Sequence, residues 1–69
     1  MNEMVFSVTL EEDGGFVARC LQQPIFTEAD TWEGLCQAVV EAVTAWHFDR
    51  HVPERVRLHL VRDEVFTLA

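Results

Sequence analysis

Several groups of residues in this 69-residue chain have types and spacings that could support chemistry. His47 and His51 stand four positions apart with Asp49 between them, a spacing that on a helix brings two imidazoles to one face for a metal ion. The expected helix ends across this pair, however, and no second cluster of ligands accompanies it. A polar helix end, where the dipole favours protonated histidine, is the better reading. Glu11-Glu12-Asp13 is a run of carboxylates of the kind used in paired-acid or metal chemistry, yet adjacent acids at a turn are ordinarily just solvated. Two-metal nucleases carry their acids on the strands themselves, whereas residues 4–10 and 56–61 hold none. Cys20 and Cys36 have no histidine close in sequence to activate a thiolate, and no glycine-rich phosphate loop is present. The sequence therefore assigns no catalytic, metal or cofactor-binding residue, and the chain reads as non-enzymatic.

Arg55, Arg57, His59 and Arg62 form a short basic ladder that could meet nucleic acid. Without interleaved aromatics it reads better as an edge strand guarded by charge, with acids from elsewhere as partners. The overall balance points the same way. Five arginines and no lysine stand against twelve acids, a net charge of −7. Residues 1–48 carry eight of those acids and only Arg19 among the basic residues, while residues 49–69 are neutral overall. A nucleic-acid binder would show the opposite sign; an acidic surface suits a basic protein partner.

These side chains need elements to position them. Met4, Phe6, Val8 and Leu10 alternate with Val5, Ser7, Thr9 and Glu11, the period of two that marks a strand. Asp13-Gly14-Gly15 is a hairpin signal. Phe16 to Leu21 resumes the alternation, Gln22-Gln23-Pro24 turns the chain, and Ile25 to Glu28 makes a short third strand. From Asp30 to Trp46 the period changes. Trp32, Leu35, Cys36, Val39, Ala42, Val43 and Trp46 fall on one helical stripe, with Glu33, Gln37, Glu41 and Thr44 opposite. Asp30 with Glu33 reads as a capping box, and Thr31 is an equally good N-cap. The helix should fray near His47 to Arg50, ahead of Pro53. Arg55 to Arg62 is a fourth strand, with Val56, Leu58 and Leu60 inward. Val65 to Leu68 is a last apolar segment whose pairing the pattern does not decide.

One domain of α+β class follows, with element order β-β-β-α-β over residues 1–69. A right-handed crossover sets the fourth strand parallel to the first, giving a four-stranded mixed sheet of order 3-2-1-4 with the helix packed on one face. The order of elements resembles part of a ribonuclease-H-like sheet. The second face, carrying Val5, Ser7, Thr9, Val17, Arg19 and Val61, is left uncovered and is a natural contact surface together with the two edges. The partner-binding residues expected on these grounds are Glu11, Glu12 and Asp13 at the hairpin, Val17 and Arg19 on the open face, and Phe48 just off the helix stripe. A core this small favours self-association, a homodimer first. The N-terminus lacks the marks of a signal peptide, no stretch is long enough to span a membrane, and the two cysteines read as reduced, so a cytoplasmic protein is expected.

Asp13-Gly14-Gly15-Phe16-Val17-Ala18, then Pro24, then Asp30-Thr31 opening the helix, resembles the HicB-like antitoxin superfamily, with its "DGGY/FVA" hairpin and "PGC…GDT" segment. Thr27-Glu28-Ala29-Asp30-Thr31 and Pro53-Glu54-Arg55-Val56-Arg57-Leu58 are closer still to an uncharacterised sister group of small bacterial and archaeal proteins. The chain departs from the pattern at Ile25, where the family has Gly-Cys after the proline, and at Ala29, where it has glycine. The resemblance implies a β-β-β-α-β domain that oligomerises and wraps a small basic HicA-like toxin that cleaves messenger RNA. Family members usually add a C-terminal helix-turn-helix or ribbon-helix-helix. This sequence shows neither, so direct DNA binding is not expected.

Overall fold

Alternating side chains and one capped helix produce five elements in the computed structural model, which describes residues 3–47 and 51–69. They are β1 (Glu3–Leu10), β2 (Phe16–Cys20), β3 (Phe26–Ala29), α1 (Trp32–Trp46) and β4 (Arg55–Val61). The sheet order is β3-β2-β1-β4. Antiparallel pairing joins β1 to β2 and β2 to β3, while β4 runs parallel to β1 from Glu3 opposite Arg55 to Thr9 opposite Val61. The α+β class and strand order expected from the pattern are those observed.

The even-numbered residues of β1 and β2 supply the floor of the core. Met4, Phe6, Val8, Ala18 and Cys20 are buried beneath Leu35, Val39 and Val43 of α1, with Ile25 closing one side. Both cysteines are free thiols. At the hairpin, Glu11 N–H donates to the Gly15 carbonyl at 2.7 Å, and Asp13 Oδ1 accepts from Gly15 N–H at 3.0 Å. Gly14 occupies the middle of this turn at φ +93°, where a side chain would be strained.

One open choice is settled and three local expectations need correction. The N-cap is Thr31, whose Oγ1 accepts from Gly34 N–H at 3.0 Å. With Thr31 as cap, the third helical residue is Gly34, so Glu33 is one position short of completing a box. The third strand is displaced by one residue. Ile25 belongs to the turn, its N–H donating to the Gln23 carbonyl, and its side chain drops into the core. The helix stripe is narrower than its sequence suggests. Trp32 and Trp46 sit at the rim, 37% and 39% exposed, with Trp32 packed edge-to-face on Phe16 at 5.4 Å. Finally, the inward residues of β4 are only partly covered. The helix lies closest to β3 and β2, so Val56 and Leu58 are half-buried and Leu60 is 38% exposed.

Candidate protein-interaction surface

Because β2 and β3 pair Arg19 with Phe26 and Val17 with Glu28, the sheet face turned away from α1 can be laid out in rows. One row runs Glu28, Val17, Thr9, Val61; the next runs Phe26, Arg19, Ser7, His59. Among the described residues nothing lies over these side chains. The face is therefore open, as expected for a sheet with its one helix on the other side, and Val61 is 55% exposed. Phe26, half exposed on this face, was not among the contact residues expected from the sequence. Its signal was an aromatic directly after the core residue Ile25.

Arg19 is not a free charge on this face: its guanidinium stacks over the Phe26 ring, 5.1 Å from the centroid. Such a stack fixes the arginine's plane while leaving its N–H groups outward. Val17 is half-buried beside it. The hairpin acids Glu11, Glu12 and Asp13 are exposed at the end of the sheet. Glu11 and Asp13 share a shallow hollow of about 300 Å³ with Glu28 and Asp30. The fold thus gathers acids from the hairpin and from the β3–α1 junction at one corner, and Glu28 and Asp30 join the residues expected there. Phe48 lies outside the described residues.

At the opposite end Glu3 receives Arg57 through two hydrogen bonds, of 2.7 and 3.3 Å, and Arg55 at 3.5 Å. Two residues of the basic ladder, Arg55 and Arg57, are thus partnered from β1, while Arg62 lies 3.7 Å from Glu64 of its own segment. The Arg57 hydrogen bonds hold the Glu3 carboxyl below the usual glutamate range. A lowered acid pKa contributes stability that is complete above the ordinary value and is lost as pH falls through the lowered one. Glu3→Gln should therefore give a small decrease in urea midpoint at neutral pH. That difference should shrink to nothing on acidification; a constant difference across the titration would show that the ion pair is not its source.

The histidine pair does not share a helix among the described residues, and Asp49 between them lies outside those residues. The helix ends at Trp46, and His47 caps it, Nδ1 lying 2.9 Å from the Val43 carbonyl. Among the described residues no three of His, Cys, Asp and Glu gather closely enough to hold a metal. Nor is any of their helices long and apolar enough to cross a membrane.

Beyond β4 the chain continues as an extended segment outside the sheet. Val65 is 92%, Phe66 77% and Leu68 97% exposed.

Fold and surface together define a small α+β domain with one covered and one open sheet face. The chain is 39% identical over 61 residues to a UPF0150 protein of Thermotoga maritima, an alignment covering 88% of this chain and 86% of that protein. It belongs to the UPF0150 family, a group of small prokaryotic proteins. No family profile matches the sequence, and no solved structure matches it.

Proposed function

We propose that this protein is a non-catalytic, HicB-like interaction domain that binds a small basic protein, an mRNA-cleaving toxin of the HicA kind being the partner that the motif resemblance suggests. The acid corner carries the reading. Glu11, Asp13, Glu28 and Asp30 come from two separate parts of the chain and meet around one hollow, beside an open face bearing Val17, Arg19 and Phe26. Clustered like charge at the edge of a partly apolar surface attracts and orients an oppositely charged partner.

The test is co-expression with a small basic protein encoded beside this chain. A complex that co-purifies, with relief of any growth arrest the partner causes alone, is the expected result. Neither complex nor relief would sink the reading.

Self-association is a second reading, and one observation favours it: the largely exposed apolar side chains of Val65, Phe66 and Leu68. Apolar side chains strung together in solvent mark a contact waiting for a partner.

A further inference from the structure

We propose that residues 62–68 extend β4 and pair antiparallel with residues 58–64 of a second copy of this chain, about a two-fold axis at Asp63. This rests on the self-association reading and is independent of any toxin partner.

The segment stands away from the body of the domain. The molecule measures 56 × 23 × 18 Å, and its radius of gyration is 14.0 Å; a compact chain of this length would have about 11 Å. The side chains at the outer edge of β4 are equally short of cover. On the helix face Val56 and Leu58 are half-buried and Leu60 is exposed. A groove of about 320 Å³, lined by Val40, Val43, Val52, Pro53 and Val56, opens between α1 and the start of β4. One protruding strand and one uncovered strand edge on the same element are the two halves of an isologous contact.

The sequence then selects the register. Continuing the alternation of β4, residues 58, 60, 62, 64, 66 and 68 share the helix face. An axis at Asp63 sets Leu58 opposite Leu68, Leu60 opposite Phe66, and Arg62 opposite Glu64, each pair occurring twice. On the other face Val61 meets Val65. Moving the axis to Arg62 would oppose Arg62 to itself and Leu60 to Glu64. Moving it to Glu64 would oppose Glu64 to itself and Arg62 to Phe66. Each axis sets one charged residue opposite itself, and the Asp63 axis places that like-charge pair, Asp63 with Asp63, on the open face; of the three it alone joins apolar to apolar and acid to base throughout the helix face, and cross-strand pairs of those kinds are the stabilising ones. Arg62 and Glu64 already approach within 3.7 Å along their own strand, so each ion pair closes onto an arranged partner. Leu68 is then the diagonal neighbour of Val56 at the mouth of the groove.

Light scattering on the whole chain at tens of micromolar should give twice the 7.9 kDa monomer mass. The double variant Phe66→Asp with Leu68→Asp should return it to 7.9 kDa with an unchanged far-ultraviolet spectrum, because those exposed side chains are not part of the core. Residues directly opposite on antiparallel strands lie about 4.5–5.5 Å apart at Cα, within disulfide reach. Asp63→Cys should therefore give an oxidised dimer faster than Arg62→Cys, Glu64→Cys or the parent with its two native cysteines. A parent of monomer mass overturns both this contact and self-association. A dimer that survives the Phe66/Leu68 variant, or cross-linking no faster at 63 than at its neighbours, overturns this contact alone and leaves self-association through another surface.

Discussion

Phe6→Ala is expected to remove most of the stability of the domain. Phe6 is fully buried at the centre of the sheet, between β2 and β4 and beneath the helix. Truncating a buried phenylalanine costs about 3–5 kcal/mol, because the lost transfer energy is compounded by the cavity left behind. Total stability for a chain of this length is about 3.5–10 kcal/mol at the usual value per residue. The variant should therefore show a large fraction unfolded without denaturant, or a urea midpoint lowered by a third or more. Val40→Ala, on the exposed side of the same core helix, is the control and should change stability by about 0.5 kcal/mol or less. Equal midpoints for Phe6→Ala and the control would mean that the core is not where the packing puts it.

Reversing Glu11, Glu12 and Asp13 to lysine should abolish or greatly slow capture of a basic partner. The three side chains are exposed at the hairpin and lie outside the core, but Asp13→Lys also removes the acceptor of Gly15 N–H, so a Glu11→Lys/Glu12→Lys double variant that keeps this turn bond is measured beside it. Charge steering changes association rates by about 10–1,000-fold and weakens as salt rises. The parent's association rate should fall steeply between low and physiological salt, while the variant's should be slow and nearly flat. A variant that associates as fast as the parent would remove the acid corner from the recognition surface. Gly14 and Gly15 must stay in place in this experiment, since Gly14 alone holds the turn at φ +93°.

How much of this could be read from the chain depends on how local each signal is. Strand alternation at Met4 to Leu10 and at Arg55 to Arg62 is a property of neighbours, and it placed both strands to within a residue at each end. Order and direction followed from the handedness of one crossover. Three failures have a common cause, namely that they depend on what lies across space. Trp32 and Trp46 satisfy the helical stripe, but whether a stripe's ends are covered depends on the width of the sheet below. Leu60 satisfies the inward alternation of β4, yet the helix lies closer to β3. Ile25 is held on both sides, its carbonyl accepting from Cys20 N–H across the gap to β2 and its own N–H turned back to the Gln23 carbonyl, so the third strand starts at Phe26, which no local pattern announces.

The surface was legible in the same proportion. The hairpin acids and the open face with Val17 and Arg19 were identifiable as a surface because exposed acids and mixed polarity are visible residue by residue. The convergence of Glu28 and Asp30 on that corner was not, because it needs the pairing of β2 with β3. The stacking of Arg19 on Phe26 was hidden for the same reason.

The parallel pairing of β1 with β4 has a consequence for how the molecule is made. β1 lies inside the finished sheet, but its neighbour on one side comes from residues 55–61, more than fifty positions downstream. A ribosome delivers the amino end first, so the hairpin and helix can assemble while that flank of β1 still presents bare amide and carbonyl groups. Such a flank invites pairing with other nascent chains. Glu3, reaching across to Arg55 and Arg57, ties the start of that late-arriving strand to the start of β1 once the two have paired.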